Sequence, residues 1–75
     1  MYIKIENHQE NTVKIIDYPG DMKTFLWAHS FGVFNIAKIK TGTYQFIDRI
    51  SKETFMTVSK PGKREIAAYE KEERK

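Results

Sequence analysis

Val33-Phe34-Asn35-Ile36-Ala37-Lys38-Ile39-Lys40-Thr41-Gly42-Thr43-Tyr44-Gln45-Phe46-Ile47-Asp48-Arg49-Ile50 carries two apolar runs on either side of a Thr-Gly pair. The first run, residues 33 to 40, starts continuously apolar and ends in alternation. In the second, Tyr44, Phe46 and Ile50 alternate against Gln45 and Arg49, the period of two that places one face of a strand against a core. Thr41-Gly42 reads as the turn between them. Ser51-Lys52-Glu53 is a second turn, and Thr54 to Lys60 adds Phe55, Met56 and Val58 in a run whose β-branched and aromatic content favours strand over helix. Three strands joined by short turns make a meander.

Toward the N-terminus, Tyr2-Ile3-Lys4-Ile5-Glu6 alternates in the same way, and the polar cluster from Asn7 to Asn11 suits the loop of a hairpin. Its second arm is residues 12 to 18, with Val13 and Ile15 on one side and Ile16 and Tyr18 on the other. Ile15 and Phe46 are expected in the core. Tyr18-Pro19-Gly20-Asp21 reads as a type II turn, Pro presetting φ at the second position and Gly accepting a positive φ at the third. Asp21 then caps a short helix over 22–29, in which Met22, Phe25, Leu26 and His29 share a face and Gly32 follows the end. A strand over 24–28 competes with that helix, because Phe and Trp are good strand residues.

After the Pro61-Gly62 break, residues 64–75 are strong helix formers with Glu70 and Arg74 spaced as an i,i+4 pair. Ile66 and Tyr69 are the anchors there, so residues 70–75 are expected to be a frayed helical tail. The order β-β-α-β-β-β-α predicts an α+β domain spanning 1–75, an antiparallel sheet with a short middle helix and a C-terminal helix. A small β-barrel with a C-terminal helix is the alternative.

A chain of 75 residues without cysteine has room for one core and no disulfide to reinforce it. Cores of this size rarely supply more than about 3 to 5 kcal/mol, so weak self-association or support from a partner is expected. The N-terminal alternation is unlike a signal peptide and no apolar run approaches the length of a membrane span, which predicts a cytoplasmic protein with no membrane partner. The formal charge is +3, and between residues 38 and 64 seven basic residues face two acidic ones, while both flanks are slightly acidic.

Chemistry is sparse. His8 and His29 lie far apart with no close-spaced ligand pair, so no metal is expected. Ser30, Ser51 and Ser59 lack a nucleophile elbow, Asp17 and Asp21 are accounted for by turn and cap, and the four glycines stand apart instead of forming a phosphate cradle. No catalytic residue, cofactor or enzymatic activity is expected.

Two binding functions remain. The favoured one is a small protein-binding adaptor or inhibitor, of the kind a phage or plasmid encodes as an accessory protein, presenting Trp27 or Tyr44 as the aromatic surplus to the core. The alternative is a nucleic-acid-binding protein in which the 38–64 meander stacks bases on aromatics and neutralises phosphates with Lys38, Lys40, Arg49, Lys52 and Lys60. Against that, Phe46, Phe55 and Ile50 fit a core and the lysines fit solvated strand edges.

Overall fold

The computed structural model describes residues 1–30 and 32–73, Glu73 by its backbone alone. Five strands and two helices follow in the expected order: β1 (Tyr2–Asn7), β2 (Thr12–Asp17), α1 (Met22–Ser30), β3 (Phe34–Lys40), β4 (Thr43–Asp48), β5 (Thr54–Ser59) and α2 (Lys63–Glu73). The strands form one open antiparallel sheet ordered β2-β1-β5-β4-β3 and not a barrel. The β1–β2 hairpin and the β3–β5 meander join through β1 and β5, where Ile5 lies opposite Val58. The chain therefore crosses from one sheet edge to the other between β2 and β3, and α1 is that crossing.

Alternation sorts the side chains into two unlike faces. Ile3, Ile5, Phe46 and Val58 point to one side and are buried together with Met22, Phe25 and Leu26 of α1. Ile16, Tyr18, Phe34, Tyr44 and Met56 pack around this cluster. The helix reading of residues 22–29 holds, because the spacing of Met22, Phe25 and Leu26 presents one stripe to the sheet while a strand would have split them between two faces. Asp21 caps it as expected: its Oδ1 accepts bonds from the Thr24 amide at 2.8 Å and the Thr24 hydroxyl at 2.7 Å.

Three local expectations fail. Ile50, expected in the core with Phe46 and Phe55, lies in the turn past the end of β4 and is almost wholly exposed, because the Asp48 carboxylate binds the Ile50 and Ser51 amides and ends the strand there. Gly20 is not among the glycines with positive φ, which are Gly32 and Gly42, so Pro19-Gly20 is not a type II turn. Glycine is needed at 20 for space, since a Cβ there would lie 2.9 Å from the Tyr18 ring. Ile15 does not join the main core. It lies opposite Lys4 on the other sheet face and is half-buried, whereas its neighbour Ile16, opposite Ile3, packs against the core.

That second face is polar, with Lys4, Glu6, Thr43, Gln45, Thr57 and Ser59 in register across β1, β5 and β4. α2 covers only its β1–β2 end. Glu65 holds the helix start in place with both oxygens, Oε1 accepting the Gly62 amide at 3.0 Å and Oε2 pairing with the Lys4 ammonium at 2.7 Å. One turn on, the Tyr69 ring meets Tyr2 edge-on at 5.5 Å. The helix is continuous through residue 73, and Arg74 and Lys75, with the proposed Glu70–Arg74 pair, lie outside the described residues.

Candidate interaction surface

The basic residues between 38 and 64 do not converge. Lys38 lies opposite Tyr44 and Lys40 opposite Thr43, at the β3–β4 turn. Lys60 reaches the same end, its aliphatic stem passing over Gly42, where a Cβ would be 3.7 Å away. Arg49 and Lys52 belong to the β4–β5 turn, at the far end of β4, about 17 Å away for a six-residue strand. Arg49 is tethered there by its guanidinium Nη1, which donates to the Gly32 carbonyl at 2.8 Å. In the same turn Asp48 Oδ1 accepts the Ile50 and Ser51 amides at 2.8 and 2.9 Å. Those two amides hold its carboxyl below the ordinary carboxylate range.

Nor do the aromatics of the meander form an open platform. Phe46 is fully buried and Tyr44 packs against the core, so Tyr44 is not the surplus ring. Phe55 is the extra residue of a bulge in β5, where Phe46 pairs with Met56 and Ile47 with Thr54, and its ring stacks on Phe34 at 4.9 Å. The face that bears these rings is the one α1 covers. On the opposite face, His8 Nε2 and Thr57 Oγ1 are 2.7 Å apart in a hydrogen bond, within a lattice of short polar side chains.

Trp27 is the exposed aromatic, with 83% of its surface in solvent. It follows the inward stripe of α1 by one residue and so points away from the sheet. The other large exposed apolar residues include Val33 just before β3, Ile36 and Ile39 within it, and Ile50 in the β4–β5 turn, 94% exposed. The Arg49 amide donates to the Val33 carbonyl at 3.3 Å and so keeps Ile50 next to the start of β3. Trp27 lines a shallow concavity with Ala28, Ser30 and Gly32, the last of which precedes Val33 in the chain. Periodicity alone could have suggested Trp27, but not Ile39, which sits at the β3 bulge between Lys38 and Lys40, nor Ile50, which lies past the end of its strand.

A second concavity, about 610 Å³, opens on the α1 face between Phe25 of the helix and the sheet residues Ile5, Ile16, Phe34, Phe55 and Met56. It exists because a nine-residue helix spans only about 13 Å, while five strands span about 19 Å. Among the described residues no group of three His, Asp or Glu side chains gathers as metal ligands do, and no helix is long and apolar enough to cross a membrane.

Comparison with protein-family models, with curated proteins and with solved structures returns no match to this chain.

Proposed function

We propose that the chain is a non-enzymatic protein-binding module, a small adaptor or inhibitor, whose contact surface is the flank bearing Trp27, Val33, Ile36 and Ile50. The observation that carries this reading is Trp27, 83% exposed, in a molecule that has a very small core and also exposes Val33, Ile36, Ile39 and Ile50 in and around its β3 strand. Tryptophan in that setting is the residue type most often found to dominate a protein interface. Single exposed apolar residues are ordinary, whereas a continuous patch of them points to a partner.

Nucleic-acid binding by the 38–64 segment is the competing reading, and Lys38, Lys40 and Lys60 at one end of the sheet are what remains of its support. The two separate by salt and by aromatic truncation. The immobilised chain should capture a protein that survives a high-salt wash, and Trp27→Ala should weaken capture about 30-fold or more, corresponding to about 2 kcal/mol. Binding of DNA or RNA at low salt that declines steeply as salt rises and is indifferent to Trp27→Ala overturns the protein-binding reading.

A further inference from the structure

β3 is a free edge of the sheet: β4 pairs with one side of it and no described strand pairs with the other. Along such an edge alternate residues turn their N–H and C=O groups outward, where an added strand can take them up. Proteins normally blunt an edge with lysine, a bulge or a cover. In β3 both Lys38 and Lys40 and the bulge between them fall in its last three residues. Residues 34–37 keep regular register with β4 and contain neither lysine nor bulge, and Val33, Ile36 and, through the Arg49–Val33 hydrogen bond, Ile50 are exposed near them. The other edge, β2, differs. Lys14 sits in its middle, and α2 residues Ala68 and Tyr69 lie beside its Val13 and Ile15.

We propose that β3 is a strand-addition site for an extended segment of a partner protein, apolar opposite residues 33–37 and acidic opposite Lys38 and Lys40. This deepens the protein-binding reading and rests on it. Charge selects the occupant. Among the described residues neither Lys38 nor Lys40 has a carboxylate within ion-pair distance, so both charges are open to a partner. A second copy adding through its own β3 would bring no acidic residue, since residues 33–40 contain none, and would leave the lysines of both strands without a counter-charge. Antiparallel addition forms the more stable ladder, so the segment begins with its acidic residues and continues with apolar ones at every second position.

The probe is a pool of nine-residue peptides starting Asp-Glu and continuing with alternating Val or Ile and Thr, titrated into the isotope-labelled full chain. Control peptides carry Lys-Lys in place of Asp-Glu, or N-methyl groups on alternate amides. The acidic pool should shift the amide signals of Asn35 through Lys40 and slow their hydrogen exchange at least about tenfold. Both controls should bind at least about tenfold more weakly, and Lys38→Glu with Lys40→Glu should reverse the preference toward the Lys-Lys pool.

Equal binding of the N-methylated peptides, shifts confined to the groove beneath α1, or no binding at about 1 mM peptide overturns strand addition. So does protection of β3 in a dimer without peptide, or equal protection of β3 by a single-stranded oligonucleotide. If strand addition fails while capture of a protein still depends on Trp27, the edge proposal falls and the protein-binding reading stands. If the pool protects β3 while Trp27→Ala leaves protein capture intact, the edge proposal stands and Trp27 is not the anchor.

Discussion

Helices α1 and α2 cover opposite faces of the same sheet, and they are held there by different forces. α1 has nine residues and buries Met22, Phe25 and Leu26 in the only fully apolar cluster among the described residues. Phe25 is 1% exposed and meets Tyr18 edge-on at 5.2 Å. α2 is longer and buries none of its described side chains fully, docking through an ion pair, the half-buried Ile66 and the edge of one ring. Apolar area stabilises a helix without regard to pH and is not screened by salt, while an exposed ion pair contributes little, depends on pH and is screened. The difference teaches that α1 belongs to the folding core, while α2 is an attachment that conditions can loosen.

Truncating the α1 side should do the most damage. Phe25→Ala or Phe46→Ala is expected to cost about 3 to 5 kcal/mol, which leaves a domain this small largely unfolded in a urea titration. Near-native stability of either variant would mean that the α1 face is not the core.

On the α2 side the corresponding apolar change should be milder. Ile15→Ala is expected to cost about 1 to 2 kcal/mol, because its half-buried side chain loses only part of the area a core isoleucine would lose. If Ile15→Ala matched Phe46→Ala in the same titration, the two faces would contribute alike and the contrast would be wrong.

pH should separate the helices further. Asp21 has its carboxyl lowered chiefly by the Thr24 hydroxyl, and Glu65 has its own lowered chiefly by Lys4. A carboxylate with a depressed folded pKa stabilises fully above its ordinary value and loses that contribution as pH falls through the lowered one. Both helices should therefore loosen in acid, below the ordinary values of 3.8 and 4.5. Lys4 is raised from 10.5, chiefly by its hydrogen bond to Glu65, and Tyr2 is raised from 10.0, first by burial and then by the charge of Glu70. Their contributions are complete below those values and fade as pH rises through the raised ones, so alkali should release α2 alone. Tyrosine fluorescence and amide exchange followed against pH would read this, and an α1 that opened together with α2 in alkali would break the distinction.

The smallest effect is expected at the chain end. Ending the chain after Tyr69 should leave a folded protein with a nearly unchanged urea midpoint, because the docking contacts of Glu65 and Tyr69 are retained. A collapse of stability would show that the last turns of α2 carry apolar contacts.

Most elements were legible in the sequence because their signals are local. Alternation in residues 2–6 and 43–48, the Asp21 cap and the Gly62 break each act within one or two turns of chain. The stripe of Met22, Phe25 and Leu26 also identified its own buried face. The candidate surface was legible only in part. Trp27 stands off that stripe and was open to reading as exposed, but Tyr44 was indistinguishable from it as a spare aromatic until β4 was seen facing α1.

What the sequence by itself determined is the list of elements, their order and the periodicity that gives each a buried side, since these follow from propensity and short-range patterning. The tertiary structure alone decided which face received which helix, and so why Ile16 is in the core and Ile15 is not. It decided that Lys38, Lys40 and Lys60 meet at one end of the sheet while Arg49 and Lys52 occupy the other. It also decided that β3 is an edge. Strand order arises from contacts between segments far apart in the chain, chiefly the pairing of β1 with β5, and no local pattern in either strand encodes its neighbour.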